Sequence, residues 1–117
     1  MTVGENAGGN QTAVIGTEHT LATITAAGTY VLAVDVSNMV DGDELELRIY
    51  AKMRSASASD CVYSQSFIHK QGDGAATSAK GTVIKFSVPV PAPFAFKPTL
   101  KQTVGTGRTY DWSIYEL

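Results

Sequence analysis

The sequence predicts an all-β chain, a single antiparallel β-sandwich or jelly-roll-like domain of about seven or eight strands. Three observations predict it. Apolar and polar residues alternate with period two in at least four segments. Those segments are separated by Gly, Asp, Asn, Ser and Pro clusters at spacings of roughly 8 to 12 residues. No stretch carries the apolar stripe that an amphipathic helix needs. With 117 residues there is room for one domain, which can bury about two-thirds of its unfolded surface.

The first eleven residues, MTVGENAGGNQ, hold three glycines and almost no apolar bulk. Such a composition does not offset its own ordering entropy, so residues 1–11 are expected to be a flexible Gly-rich arm and residues 12–117 the sandwich. Residues 18–25, Thr-rich with Leu21 and Ile24, are expected as a strand. In the next segment Tyr30, Leu32, Val34 and Val36 form an inward set that ends at the turn SNMVDGD, where Gly42 can take a positive φ.

The clearest alternation spans residues 44–53. Leu45, Leu47, Ile49, Ala51 and Met53 share one face, opposite Glu44, Glu46, Arg48, Tyr50 and Lys52. Several of these residues are good helix formers. A helix would nevertheless scatter the five apolar side chains around its circumference, whereas a strand aligns them.

Residues 60–70 place Cys61, Tyr63 and Phe67 on one face, and Ile84, Phe86, Val88 and Val90 form another inward set. The run VPVPAP at 88–93 lacks N–H groups at alternate positions, which fits a sheet edge or a crossover. Phe94, Phe96, Leu100 and Val104 then oppose Lys97, Thr99, Lys101 and Thr103, and the last strand offers Tyr110, Trp112 and Ile114. The Gly105 and Gly107 loop is expected to join these two strands as a hairpin. RSASAS at 54–59 and QGDGAATSAKG at 71–81 read as loops.

Charge and motif content narrow the function. A net charge of -2 gives no pull toward nucleic acid or an anionic membrane. No apolar run approaches the roughly 20 residues that a membrane span requires, and the start lacks the basic and apolar regions of a secretory signal. Cys61, the single cysteine, has no disulfide partner within the chain and is expected to face the core. His19 and His69 are isolated from any metal-ligand spacing.

Asp41, Gly42, Asp43 and Glu44 cluster oxygen ligands that a hard cation can use. The EF-hand spacing is absent, however, and an Asp-Gly pair between strands is first of all a turn. Glu44 and Glu46 lie on one exposed face beside Arg48 and serve solvation. The glycines match no nucleotide-binding pattern, and no nucleophile elbow is present. The expectation is a protein that is not an enzyme and uses no cofactor.

Two stretches carry a resemblance. The first is the turn and strand made by Asp35, Val36 and Ser37 followed by Gly42, Asp43, Glu46, Leu47, Arg48, Ile49 and Tyr50. The second is Leu100 to Thr103 with Gly105 to Arg108 and Trp112. Together they resemble a family of small virion-associated proteins of tailed bacteriophages, in particular capsid decoration or cement proteins. The resemblance implies a non-enzymatic β-sandwich, made in the host cytoplasm and located on the virion. It would bind across major capsid protein subunits, often as a homotrimer, and stabilise the shell.

Such a protein needs contact surface, and a Thr-rich, weakly charged exterior loses little on desolvation. The candidate contact residues are Val3, Asn6 and Asn10 in the arm, Val90, Pro91 and Pro93 in the Pro-rich edge, and the outward-facing Tyr50 and Tyr115. Two other readings fit the same sequence. One is a neck, tail or fibre-base component; the other is a carbohydrate-binding host-attachment module with Tyr50, Tyr115 or Trp112 in an exposed groove.

Overall fold

A computed structural model describes residues 3–68 and 83–117. His69 and the loop expected at 71–81 therefore lie outside the described residues. Among the described residues there is no helix, and so none long and apolar enough to cross a membrane. The described residues form nine strands: β1 (Gly4–Thr12), β2 (His19–Thr20), β3 (Gly28–Asp35), β4 (Glu44–Ala51), β5 (Asp60–Ile68), β6 (Ile84–Phe86), β7 (Val90–Ala92), β8 (Phe96–Val104) and β9 (Thr109–Glu116).

They form two antiparallel sheets packed as a sandwich. The five-stranded sheet runs β1-β9-β3-β6, with β7 also pairing β3, and the four-stranded sheet runs β2-β8-β4-β5. The core lies between them, built on Tyr30, Leu32, Leu45, Leu47, Ile49, Phe96, Leu100, Tyr110 and Ile114, all essentially without solvent exposure.

Period two holds where the sheets are regular. Tyr30, Leu32 and Val34 in β3 and Leu45, Leu47, Ile49 and Ala51 in β4 all face the core. The turn between these strands uses Gly42 at φ 93, a conformation that costs a residue with a Cβ. Met53 departs from the expectation and is 82% exposed, because β4 ends at Ala51 and the chain turns away, with Ser57 N–H donating to the Arg54 carbonyl.

Three single-residue bulges reverse the expected facing elsewhere, since one extra residue moves every following side chain to the other face. In β5, Tyr63 opposes Ile49 but Cys61 opposes Tyr50, so Val62 is extra and Cys61 is exposed, not in the core. In β8, Leu45 opposes Gln102 and Glu44 opposes Val104, so Thr103 is extra and Val104 is exposed, while Gln102 keeps the inward alternation of Phe96 and Leu100 and lies in the core.

Between β6 and β7 the three residues 87–89 face only Val31 and Leu32, because Ala33 pairs Phe86 while Tyr30 pairs Val90. Val90 therefore turns inward, whereas Ile84, Phe86 and Val88 are exposed. Ser87 repairs the interrupted ladder: its N–H donates to the Leu32 carbonyl, and its Oγ accepts from Leu32 N–H at 3.0 Å.

Two larger corrections concern topology. The segment expected to be a flexible arm is β1, paired with β9 from Gly4 opposite Glu116 to Thr12 opposite Thr109. Backbone pairing along an existing edge needs no apolar composition. Its glycines also fit the place, since a Cβ on Gly9 would lie 3.4 Å from the Trp112 ring. The expected hairpin of the last two strands does not form, because β8 and β9 belong to different sheets and residues 105–108 carry the chain across the sandwich. The Pro-rich run does lie at a sheet edge, as β7 beside β3, with Pro91 opposite Thr29.

Candidate functional site

Four of the residues that carried the resemblance, Asp43, Gln102, Gly105 and Arg108, meet in one cluster. Asp43, 1% exposed, accepts through Oδ2 from Arg108 Nε at 2.9 Å and from Val40 N–H at 2.8 Å. Gln102, fully buried, donates from Nε2 to the Val104 and Thr106 carbonyls, and its Oε1 accepts from Arg108 N–H and Tyr110 O–H. Gly105, at φ 102, passes so close to Asp43 that a Cβ there would collide with the carboxylate.

Asp43 also holds the Arg108 guanidinium above its ordinary pKa, and burial pushes the Tyr110 phenol up. The bonds of this network all run to other parts of the same chain. The Asp43 carboxylate that sequence alone offers to a cation is thus bound to Arg108 and the turn. No group of three or more His, Cys, Asp or Glu able to hold a metal forms among the described residues. The cluster ties the β3–β4 turn to the β8–β9 crossover, which is a structural task.

The surfaces lie elsewhere. An open groove of about 620 Å³ runs between the Pro-rich edge and the end of β4, lined by Met53, Val62, Val88, Pro89, Pro91 and Pro93, with Val90 and Ala51 at its floor. Of the expected contact residues it gathers Val90, Pro91 and Pro93. Val90 is itself buried, through its pairing with Tyr30. Met53, Val62 and Val88 were not legible as groove residues, because alternation assigns Met53 and Val88 inward and a bulge decides where Val62 points.

Tyr50 stands on the outer face of the four-stranded sheet, far from inert. Its hydroxyl donates to Glu18 Oε2 at 2.8 Å, Thr99 Oγ1 donates to the same oxygen at 2.6 Å, and the Lys97 ammonium lies 5.3 Å from the Tyr50 ring centre. Glu18 is held below the usual carboxylate range, first by the Thr99 hydrogen bond and then by that of Tyr50.

Tyr115 lies on the outer face of the other sheet, its ring 6.3 Å from that of Phe86. Val3, Asn6 and Asn10 lie in or beside β1; Asn6 is the bulged residue, and its Nδ2 donates to Glu116 Oε1 at 3.2 Å. Of the eight expected contact residues, Asn10, opposite outward-facing Asp111, shares a sheet face with Tyr115, Tyr50 stands on the other sheet, and only those of the Pro-rich edge share a concavity.

Comparison with known proteins gives no match to a family model, to a curated protein or to a solved structure.

Proposed function

We propose that the chain is a non-enzymatic structural module that docks on a protein lattice through its Pro-rich edge. In its specific form it is a phage capsid decoration protein bound across major capsid protein subunits as a homotrimer. The observation that supports docking is the apolar groove lined by Met53, Val62, Val88, Pro89, Pro91 and Pro93. Exposed apolar side chains scattered singly are ordinary, but a contiguous set along a concave edge offers favourable burial to a partner. Prolines add a surface already rigid in the free state, so little ordering entropy is lost on binding. The virion form rests on the sequence resemblance alone.

Co-sedimentation with capsid shells tests this reading. Saturable binding at a fixed ratio to major capsid protein is expected, and Met53→Glu and Pro91→Glu should weaken it at least tenfold without changing the melting temperature, since both side chains are exposed. Shells bound equally well by both variants would move the docking surface away from the groove. A gene neighbourhood without head and tail genes, or no shell binding by the intact chain, would sink the decoration role.

A further inference from the structure

We propose that the outer face of the five-stranded sheet is a second docking surface, which takes a cationic amphipathic segment of a partner protein. Alternation turns Trp112 and Ile114 of β9 toward the core and Asp111, Ser113 and Tyr115 outward. Register then sets Val31 opposite Tyr115, Asp35 opposite Asp111, Phe86 opposite Ala33 and Ile84 opposite Asp35. The result is an apolar cluster of Val31, Ile84, Phe86 and Tyr115, in which Phe86 is 59% and Ile84 40% exposed. A cleft of about 200 Å³ between Ile84, Tyr115, Asp35 and Asp111 opens beside it. Contiguous exposed apolar surface of this kind marks an interaction site more often than an isolated exposed ring does.

Charge selects the occupant. The five strands carry four carboxylates, Glu5, Asp35, Asp111 and Glu116, and one cation, Lys85. Lys85 pairs with inward-facing Val34, and its ammonium lies 5.4 Å from the Phe67 ring centre, on the core side. Glu116 likewise pairs with inward-facing Tyr30, so the outward charges on this sheet among the described residues are Glu5, Asp35 and Asp111, all negative.

Asp35 and Asp111 stand directly opposite each other across two strands. Like charges in that arrangement repel, and a cation placed over them relieves the repulsion. The same sign disfavours phosphate-bearing partners, whether nucleic acid or anionic lipid. It also disfavours a second copy related by a two-fold axis, which would set carboxylate against carboxylate. A Lys or Arg side chain of a partner protein satisfies both halves of the site, with its charge at Asp35 and Asp111 and its aliphatic stem or neighbouring leucines on Phe86 and Tyr115.

Fluorescence anisotropy with a labelled synthetic Leu/Lys amphipathic peptide tests the proposal on the full chain. Saturable binding is expected, weakened about tenfold by Phe86→Ser, by the double change Asp35→Asn with Asp111→Asn, and by raising NaCl from about 50 to about 500 mM. Phe86 is too exposed for its loss to unfold the chain, and an unchanged circular dichroism melt confirms that. Asp111→Lys, also on an exposed position, supplies an independent loss of binding. Pro91→Glu should leave peptide binding intact, so failure of the groove reading and failure of this one are separable.

The proposal is overturned if the intact chain does not bind the peptide, if Phe86→Ser binds it as well, or if a Leu/Glu peptide binds equally. A concentration-dependent dimer abolished by Phe86→Ser would show instead that a second copy occupies the face.

Discussion

Asp43 shows how much a single buried carboxylate can organise. It holds the Val40 N–H in the β3–β4 turn and the Arg108 guanidinium in the crossover, and Gln102 closes the network from the core side. Removing one partner of a buried pair leaves the other charge without compensation, which costs far more than the pair contributes when intact. Arg108→Leu is therefore expected to lower the urea midpoint, because it leaves the Asp43 side chain, 2% exposed, without its cation.

The buried phenols impose a pH limit of the opposite kind. Burial raises the pKa of Tyr30 and of Tyr110 above the ordinary phenol value of about 10. The fold favours the neutral form, so this stabilisation is complete below about pH 10 and is lost as pH rises through the folded-state values. The urea midpoint should stay flat from neutrality to about pH 9 and fall beyond about pH 10, with a shallower fall in Tyr110→Phe.

At the level of elements, β1 and the β6–β7 edge depart furthest from expectation. A Gly-rich segment reads as disordered by composition, yet β1 runs along β9 for its whole length, and Ala7 packs against the core. The sheet edge supplies hydrogen-bond partners that no local property of the segment reveals. Deleting residues 1–11 removes that strand and uncovers Trp112 beneath Gly9. The melting temperature is expected to fall by about 5 °C or more, measured by circular dichroism. An unchanged melt would return the segment to the status of a free arm.

The β6–β7 edge illustrates the limit of pattern reading from the other side. Ile84, Phe86 and Val90 look like one inward set, and a single extra residue divides it, sending Phe86 to solvent and Val90 to the core. The candidate surfaces depend on that bulge, because without it Phe86 would be buried and the outer face of the sheet would lose its apolar centre.

Across the whole molecule, the chain crosses between sheets after β8, so the two C-terminal strands face each other through the core and do not pair side by side. Trp112 then packs inward from the five-stranded sheet as a partly buried member of the core. Trp112→Ala should cost about 3 kcal/mol, the lower end for a core tryptophan because part of the ring remains exposed. A cost below about 1 kcal/mol would mean that the ring contributes little to packing, and would favour an exposed role such as sugar stacking.

Some of this protein was decided locally. The all-β class, the inward sets of β3 and β4, the turn at Gly42 and the edge position of the Pro-rich run all follow from side-chain period, φ preference and missing N–H groups, which act within a few residues. Pro91 and Pro93 were therefore legible as edge residues. Strand partners were not legible, because every strand backbone offers the same donors and acceptors, and the choice among them depends on contacts far apart in sequence. Nor were the bulges, each a single residue with no compositional trace that reverses the facing beyond it. Tertiary structure alone placed Cys61, Phe86 and Val104 at the surface, drew the first residues into a sheet, and buried Asp43 beside Arg108.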